Sequence, residues 1–406
     1  MATPIRQAGL RADPLAACQG ARAPVEADLF VNPDIYAAEM ERLFRGESWH
    51  IVGHVAEFPQ EGCYKTHRIG NVPVIVSRAD GLFHVMVNSC AHRGAQVVRG
   101  SRGIAKTKAA FTCIYHQWVY DAGGCAMGVG RRQGYPEGFS VADHGLPRAK
   151  VGVIGGLIFA SLGRSPPDLR EYLGKRICDT IDRLYSAPDL KYAGVQRAVF
   201  QCNWKLYVEN IYDSYHAVTL HKGFRLMNIR KPAPQLEDAA IIRHGHYLTE
   251  YQADVPGKID LNCPEIFEAR SRHDGLSSHV VANVFPASQF TEQLDVLAYR
   301  IVVPRGPNAT EIQFHVLVRE SDDDGLRAHR MWQASNFLGP QGLINLEDAA
   351  ALARVQVSMQ GRDPQLGPSG GMRFPDRRPD EQAIDSFYDA YRRAMQEAAQ
   401  HQETGQ

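Results

Sequence analysis

Two short loops constrain this chain more than any other feature: Cys90-Ala91-His92 and, further along, Cys113-Ile114-Tyr115-His116. Each offers one thiolate and one imidazole. A two-iron, two-sulfur cluster with two cysteines on one iron and two histidines on the other needs this mixed set, and the imidazoles raise its potential far above that of an all-cysteine cluster. A structural Cys₂His₂ zinc site is the alternative. Zinc modules, however, usually present Cys-x₂₋₄-Cys followed by His-x₃₋₅-His, with like ligands paired rather than one of each per loop. The spacing therefore predicts a redox protein with Cys90, His92, Cys113 and His116 around the cluster.

The surrounding sequence reads as short strands. Tyr64–Ile69, Val72–Val76 and Leu82–Val87 are β-rich, Ala79-Asp80-Gly81 marks a turn, and Gly155–Ala160 closes the set. Gly163-Arg164-Ser165-Pro166-Pro167 then punctuates the chain. Beyond it, Leu169 to Leu184 has helical apolar spacing, and Trp204 to His221 is a second helix candidate. From Val280 to Arg319 the signal is antiparallel strand: Ile312, Phe314, Val316 and Val318 alternate with Gln313 and His315, as in a sheet with one solvated face. Asn283-Val284-Phe285-Pro286 reads as a packing segment. Met331 to Gln360 is helix broken around Gly339-Pro340, and Ile384 to Met395 is a terminal amphipathic helix. The expected fold is α+β: a leader and helical segment over 1–46 packing on the catalytic domain, an all-β cluster domain over 47–164, and an α+β domain over 165–406 with an antiparallel sheet and helices.

At 406 residues and 44% hydrophobic, the chain can bury one or two sizeable cores. Lys+Arg and Asp+Glu balance at 45 each, which argues against nucleic-acid or anionic-membrane partners. No run of 18 apolar residues is present to span a bilayer. The start, MATPIRQAGLRADPLAACQGARAP, is arginine-bearing and acid-poor but lacks an apolar secretory core, and reads as a loosely packed leader. Cys18, Cys63, Cys125, Cys178, Cys202 and Cys263 are scattered and read as buried hydrophobes or spectators. Reduced thiolates for a cluster imply a cytoplasmic location. Gly128-Val129-Gly130-Arg131-Arg132-Gln133-Gly134 has too long a final gap for a dinucleotide fingerprint and reads as loop.

A second metal signal follows. Asp213, His216 and His221 have the spacing Asp-x₂-His-x₄-His. A mononuclear non-haem iron(II) takes two imidazoles and one carboxylate on one face, leaving positions open for oxygen and substrate. His216 and His221 are five positions apart, roughly 140° around an ideal helix, so both reach one metal only where the helix bulges, unwinds or ends. The carboxylate is Asp213 itself or an acid from elsewhere. Glu347-Asp348, in the first turn of a helix, is one such source, although acids there also serve simply to complement the helix dipole.

The stretches NSCAHRGA, FTCIYHQWVYD, CNWKLYVENIYDSYHAVTLH and SNFLGPQGLINLED resemble the α subunits of Rieske non-haem iron aromatic-ring-hydroxylating oxygenases over nearly the whole chain, most closely the terephthalate dioxygenase and salicylate 5-hydroxylase large subunits. The resemblance implies a Rieske 2Fe-2S domain and a helix-grip (START-like) catalytic domain. It implies Cys90, His92, Cys113 and His116 as cluster ligands, and His216, His221 and Asp348 as the Fe²⁺ triad. Asp213 takes the place of a bridging aspartate, bonded to His216 in its own chain and to the cluster histidine His116 of the next in a ring of three. Asn210 takes that of an amide near the iron, while Arg93 and Trp118 shape the cluster shell. Partners implied are a reductase, with or without a ferredoxin, and a small β subunit in an α₃β₃ assembly or an α₃ trimer, with O₂ and a small aromatic substrate. The run KGFRLMNIRKPAP after His221 departs from those relatives in a stretch that lies near the substrate in the family.

On the predicted strand Asp295–Val303, Arg300 shares a face with Val296, Ala298 and Val302. A guanidinium on an apolar face pairs with an anion such as a substrate carboxylate, or else with a neighbouring acid or water. The expected activity is (di)hydroxylation of an aromatic ring, with an aromatic carboxylate as substrate. The alternatives are a monooxygenase acting on a non-ring carbon, and an electron carrier without catalysis. Other histidines, among them His244, His246, His273, His279 and His315, read as structural or exposed.

Overall fold

The computed structural model describes residues 25–404 except 109, 214, 223–238, 242, 255–261, 272–275, 362–369 and 372–381. The cluster loops hang from three small antiparallel sheets. One joins Lys150–Ile154, Leu157–Ser161 and His50–His54; the second joins Leu82–Val87, Val72–Ala79, Cys63–Ile69 and Arg102–Ile104; the third joins Phe111–Thr112, Val119–Tyr120 and Ala126–Gly128. Gly155 and Gly156 form the hairpin turn ahead of Leu157 instead of opening the strand. Both have positive φ, and a Cβ on Gly155 would sit 2.5 Å from the Ile181 carbonyl oxygen.

The second domain is built on a seven-stranded antiparallel sheet in the order Leu190–Phe200, Thr310–Arg319, Val296–Pro304, Ser288–Gln293, Leu276–Val284, Tyr247–Asp254, Ala239–Ile241. Its two faces pack differently. Leu297, Tyr299, Ile301 and Leu317 meet Ile177, Ile181 and Tyr185 of the helix Lys175–Tyr185, and Trp49, Ile51 and Phe159 of the first domain. On the other face Val302 and Ile312 meet Trp204, Leu206 and Tyr207, while Ala298, Phe314 and Val316 meet Phe337 and Leu338. Each such large apolar side chain contributes roughly 1.5–3 kcal/mol on burial.

Because both faces are covered, the alternation in Ile312–Val318 does not produce the expected solvated face. Gln313 and His315 are buried with the rest of the strand. His315 lies flat on Tyr299, with ring centroids 4.5 Å apart. The Tyr299 hydroxyl bonds Glu57, which also holds Lys65 Nζ at 2.6 Å. The strand's polar residues are thus spent on the joint between the two domains.

The predicted helix Leu169–Leu184 is two helices, Leu169–Leu173 and Lys175–Tyr185, parted at Gly174, whose φ of +79° no helix accommodates. Asp324–Gln333 runs through a π turn, Ala334–Leu338, and the chain restarts at Leu343–Gln360, so the expected break at Gly339-Pro340 is present. The terminal helix is longer than its apolar stripe, Gln382–Thr404. At the other end, Asp28–Val31 and Pro33–Glu39 lead into a π turn, Met40–Phe44. Phe30, Leu43 and Phe44 pack with Trp204, Phe387 and Tyr391. A buried ion pair fastens them: Lys205 Nζ lies 2.6 Å from Glu39 Oε1, both side chains inaccessible, while Trp204 Nε1 and the Tyr391 hydroxyl also donate to Glu39.

Candidate metal centres

The two cluster loops are tight backbone turns. Gly94 N–H donates to Cys90 O and Cys90 N–H to Ala95 O; Gln117 N–H donates to Cys113 O and Cys113 N–H to Trp118 O. Gly94 (φ +72°) and Gln117 (φ +56°) take the left-handed conformation these turns require. Cys90 and Cys113 are buried, while His92 is exposed and His116 half-buried. The two imidazoles meet edge to face with their Nδ1 atoms 3.0 Å apart. Two like ring nitrogens aimed at one point want a shared cation between them, as one iron of a mixed-ligand cluster supplies. Trp118 stacks on His92 at 5.8 Å and donates its Nε1–H to the Tyr135 hydroxyl. Gly130 packs so tightly behind the second loop that a Cβ would fall 2.6 Å from the His116 carbonyl oxygen. The glycine-rich run leaves the strand Ala126–Gly128 and is then loop with one 3₁₀ turn, Arg132–Gly134.

The helix carrying the second signal is also interrupted. Trp204–Tyr212 ends at Asp213, and a short helix, Tyr215–Leu220, begins beyond it. Asp213 causes the break: its Oδ1 accepts from Tyr215 N–H at 2.8 Å and from His216 N–H at 3.3 Å, capping the second helix. His216 is in that helix and His221 just past its end, which resolves the angular problem of five-residue spacing.

Among the described residues, His216, His221 and Asp348 form the one set of three potential ligands, with donor atoms all within 4.8 Å of one another. Asp348 Oδ1 lies 3.5 Å from His216 Nε2 and 3.4 Å from His221 Nε2. It is buried and has no hydrogen-bond donor among the described residues. Each outer nitrogen faces a different acid: His216 Nδ1 is 3.4 Å from Asp213 Oδ2, and His221 Nδ1 is 3.2 Å from Glu347 Oε2. Ligating imidazoles are arranged in this way, with a carboxylate behind Nδ1 and Nε2 free for the metal; the His221 contact is a hydrogen bond and the His216 contact a longer ion-pair approach. Burial works against charge on both rings, yet Asp213 and Asp348 push His216 up to about 9, whereas His221 stays lowered. An orphaned buried carboxylate oxygen between two Nε2 atoms fits a divalent cation.

Both acids of the Glu347-Asp348 pair are therefore used, one towards the metal position and one behind His221. Glu347 also accepts from Lys222 N–H. Asn210 is half-buried one turn ahead of Asp213 and is not in the three-ligand set. Arg300 has no acidic partner among the described residues. It donates to the Leu338 carbonyl at 2.9 Å and lies over the Phe314 ring at 4.9 Å. Tyr120 carried no signal in the sequence, yet its buried hydroxyl lies 3.3 Å from Cys90 Sγ and accepts from Ala91 N–H. His273 and the run 223–234 lie outside the described residues.

Comparison with known proteins then decides the class. Residues 182–397 match the ring hydroxylating alpha subunit (catalytic domain) family, and residues 48–135 match the Rieske [2Fe-2S] domain family. The chain is 34% identical to the anthranilate 1,2-dioxygenase large subunit of Burkholderia cepacia, over 83% of this chain and 84% of that one. The chain belongs to the ring-hydroxylating oxygenase α subunits. The α2 subunit of the terephthalate 1,2-dioxygenase terminal oxygenase component from Comamonas sp is 29% identical, over 88% of this chain and 92% of its own. The large oxygenase component of salicylate 5-hydroxylase from Ralstonia sp is also 29% identical, over 91% and 93%. Naphthalene 1,2-dioxygenase from Rhodococcus sp. shares the fold, with TM-score 0.74 and 24% identity over 92% of this chain and 94% of that one.

This oxygenase α subunit is an oxidoreductase that hydroxylates aromatic rings with a Rieske cluster and a mononuclear iron. The zinc and electron-carrier alternatives fall. It is the oxygenase component of a multicomponent system. No helix among the described residues is long and apolar enough to cross a membrane.

Proposed function

We propose that this α subunit hydroxylates an aromatic carboxylate, with His216, His221 and Asp348 holding Fe²⁺ and Cys90, His92, Cys113 and His116 holding the cluster. Its domains divide near residues 47 and 165. When bound, the iron supplies an open-sided centre for oxygen activation, and the cluster supplies single electrons. The chain's own residues set the geometry. Glu347 fixes the His221 tautomer by a hydrogen bond, and Asp213 faces His216 Nδ1 at 3.4 Å and caps the helix that carries His216. Asn210, one turn earlier, is the amide we assign to the surroundings of the same centre.

The observation that carries the substrate reading is Arg300. Its guanidinium is on the face of the sheet covered by Trp204–Tyr212, with Phe314 beneath it, the Leu338 carbonyl and the Tyr207 hydroxyl as polar neighbours and no carboxylate partner among the described residues. A guanidinium so placed recognises a planar carboxylate with its remaining donors. The anthranilate, terephthalate and salicylate enzymes among its relatives are named for acids of this class.

Electrons reach the cluster from a separate reductase, directly or through a ferredoxin. The exposed His92, with Ile114 60% and Tyr115 58% exposed beside it, supports docking of that edge against a neighbour. We place Asp213 there in a ring of three, where it joins His216 to the partner subunit's His116, with or without a small β subunit. The enzyme is placed in the cytoplasm, where its thiolates stay reduced.

The test is turnover of benzoate-type acids by the purified protein with a matched reductase under labelled oxygen gas. A cis-dihydrodiol retaining both labelled atoms, or a phenol retaining one, is the expected product. Arg300→Leu should raise KM for acidic substrates by tenfold or more. An unchanged KM, or oxidation only at non-ring carbons, refutes the substrate reading.

A further inference from the structure

Arg300 is not an isolated polar residue on its sheet face. In the register of the seven-stranded sheet, Asn283 pairs with Gln289, Gln289 with Arg300, and Arg300 with Phe314. Directly opposed residues of antiparallel strands project to the same face. The face is the one packed by the helix that leads to Asp213, because the next row along contains Val302 and Ile312, which pack with Trp204 and Tyr207.

Asn283 and Gln289 are 3% and 2% exposed, yet among the described residues Asn283 Nδ2 and both amide atoms of Gln289 lack a hydrogen-bond partner. On the helix that covers this face, the Tyr207 hydroxyl is buried, with the Arg300 guanidinium as its polar neighbour and Asp348 within electrostatic reach. Buried amides left unpaired are costly, and a fold retains them where something else completes them. Within the segment Asn283–Pro286, Val284 and Phe285 pack as the sequence implies, while Asn283 adds a buried polar group.

We propose that Gln289 and Asn283 form a second polar subsite beside Arg300, and that the substrate is a benzoate carrying a further hydrogen-bonding substituent: hydroxyl, amino or a second carboxyl. This rests on the aromatic-acid reading above. Adjacent strands lie about 4.8 Å apart, so Gln289 stands one strand and Asn283 two strands from the guanidinium. A ring whose carboxylate meets Arg300 carries its substituent along that row. Gln289 offers both a donor and an acceptor, so it completes a hydroxyl or an amine as well as a carboxylate. A site built this way rejects the analogue that lacks the group, because its amides are then buried unpaired.

Calorimetric binding to the purified holoenzyme tests this, using benzoate against hydroxy-, amino- and dicarboxybenzoates. At least one substituted acid should bind tenfold or more tightly than benzoate, an advantage that Gln289→Met or Asn283→Leu reduces to about twofold. Arg300→Leu should weaken all the acids together. If wild-type protein binds benzoate as tightly as every substituted acid, or if both amide variants keep the advantage, the second subsite is overturned while the aromatic-acid reading stands. If no acid binds, or Arg300→Leu binds them all as wild type does, both fall. The wild-type comparison needs no variant to fold.

Discussion

Replacing Tyr120 with Phe removes a single hydroxyl from the cluster's surroundings and should lower its reduction potential. The hydroxyl is fully buried and 3.3 Å from Cys90 Sγ. Its oxygen accepts from Ala91 N–H at 3.1 Å, which leaves its own proton directed at the sulfur. A hydrogen bond to a charged acceptor contributes about 1.5–3 kcal/mol, and reduction adds a negative charge that strengthens it. If about half of that is felt only by the reduced cluster, the equilibrium between the two states moves about 4- to 12-fold, about 30–65 mV for one electron. The assay is a redox titration of the purified protein followed by circular dichroism or electron paramagnetic resonance, with the oxidised spectrum as the check that the cluster is intact. A midpoint that is unchanged, or raised, refutes the claim that this phenol stabilises the reduced cluster through Cys90.

Lys205→Met leaves Glu39 charged and buried with only neutral donors, and should cost about 3–5 kcal/mol in urea unfolding; a loss under about 1 kcal/mol contradicts the reading that this pair fastens the N-terminal segment. Glu347→Gln should weaken retention of the mononuclear iron by about 10–100-fold while leaving the cluster spectrum intact. Acid should also destabilise the fold, because burial lowers His50 to about 4 and His246 to about 3. Above the unfolded value of 6.5 both states are neutral. As pH falls below it, only the unfolded chain takes up protons, and each histidine removes about 1.4 kcal/mol per pH unit until its folded value is reached. His246 accepts from Phe285 N–H and donates to the Tyr172 carbonyl, so His246→Gln should keep the bridge and flatten the slope of unfolding free energy between pH 6 and pH 4.5 by that share; an unchanged slope contradicts it.

What the sequence showed and hid follows from how local each feature is. The cluster loops were legible because ligand type and spacing lie within a few residues, closed by their own backbone turns. The broken helix around the candidate triad was foreseen from the angle between His216 and His221, but not that Asp213 would break it by capping its successor. Asp348 could be named only through family resemblance, since an acid in a first helical turn ordinarily needs no metal to explain it. Features made by register were hidden. Tyr120 reaches Cys90 because Phe111–Thr112 pairs with Val119–Tyr120 and folds the chain back. Asn283, Gln289 and Arg300 become neighbours only through the pairing of three strands. The burial of Gln313 and His315 depended on a second domain covering the sheet, which period-two alternation cannot report.

The division of ligands between two metal centres is tested most directly by iron content and low-temperature paramagnetic resonance on the dithionite-reduced protein. Wild type should hold three irons per chain and show the rhombic signal of a histidine-ligated Fe₂S₂ cluster. Asp348→Ala should hold two and keep that signal, whereas His116→Ala should lose it. A rhombic signal abolished by Asp348→Ala, or retained without His116, would contradict the assignment of these residues to separate centres.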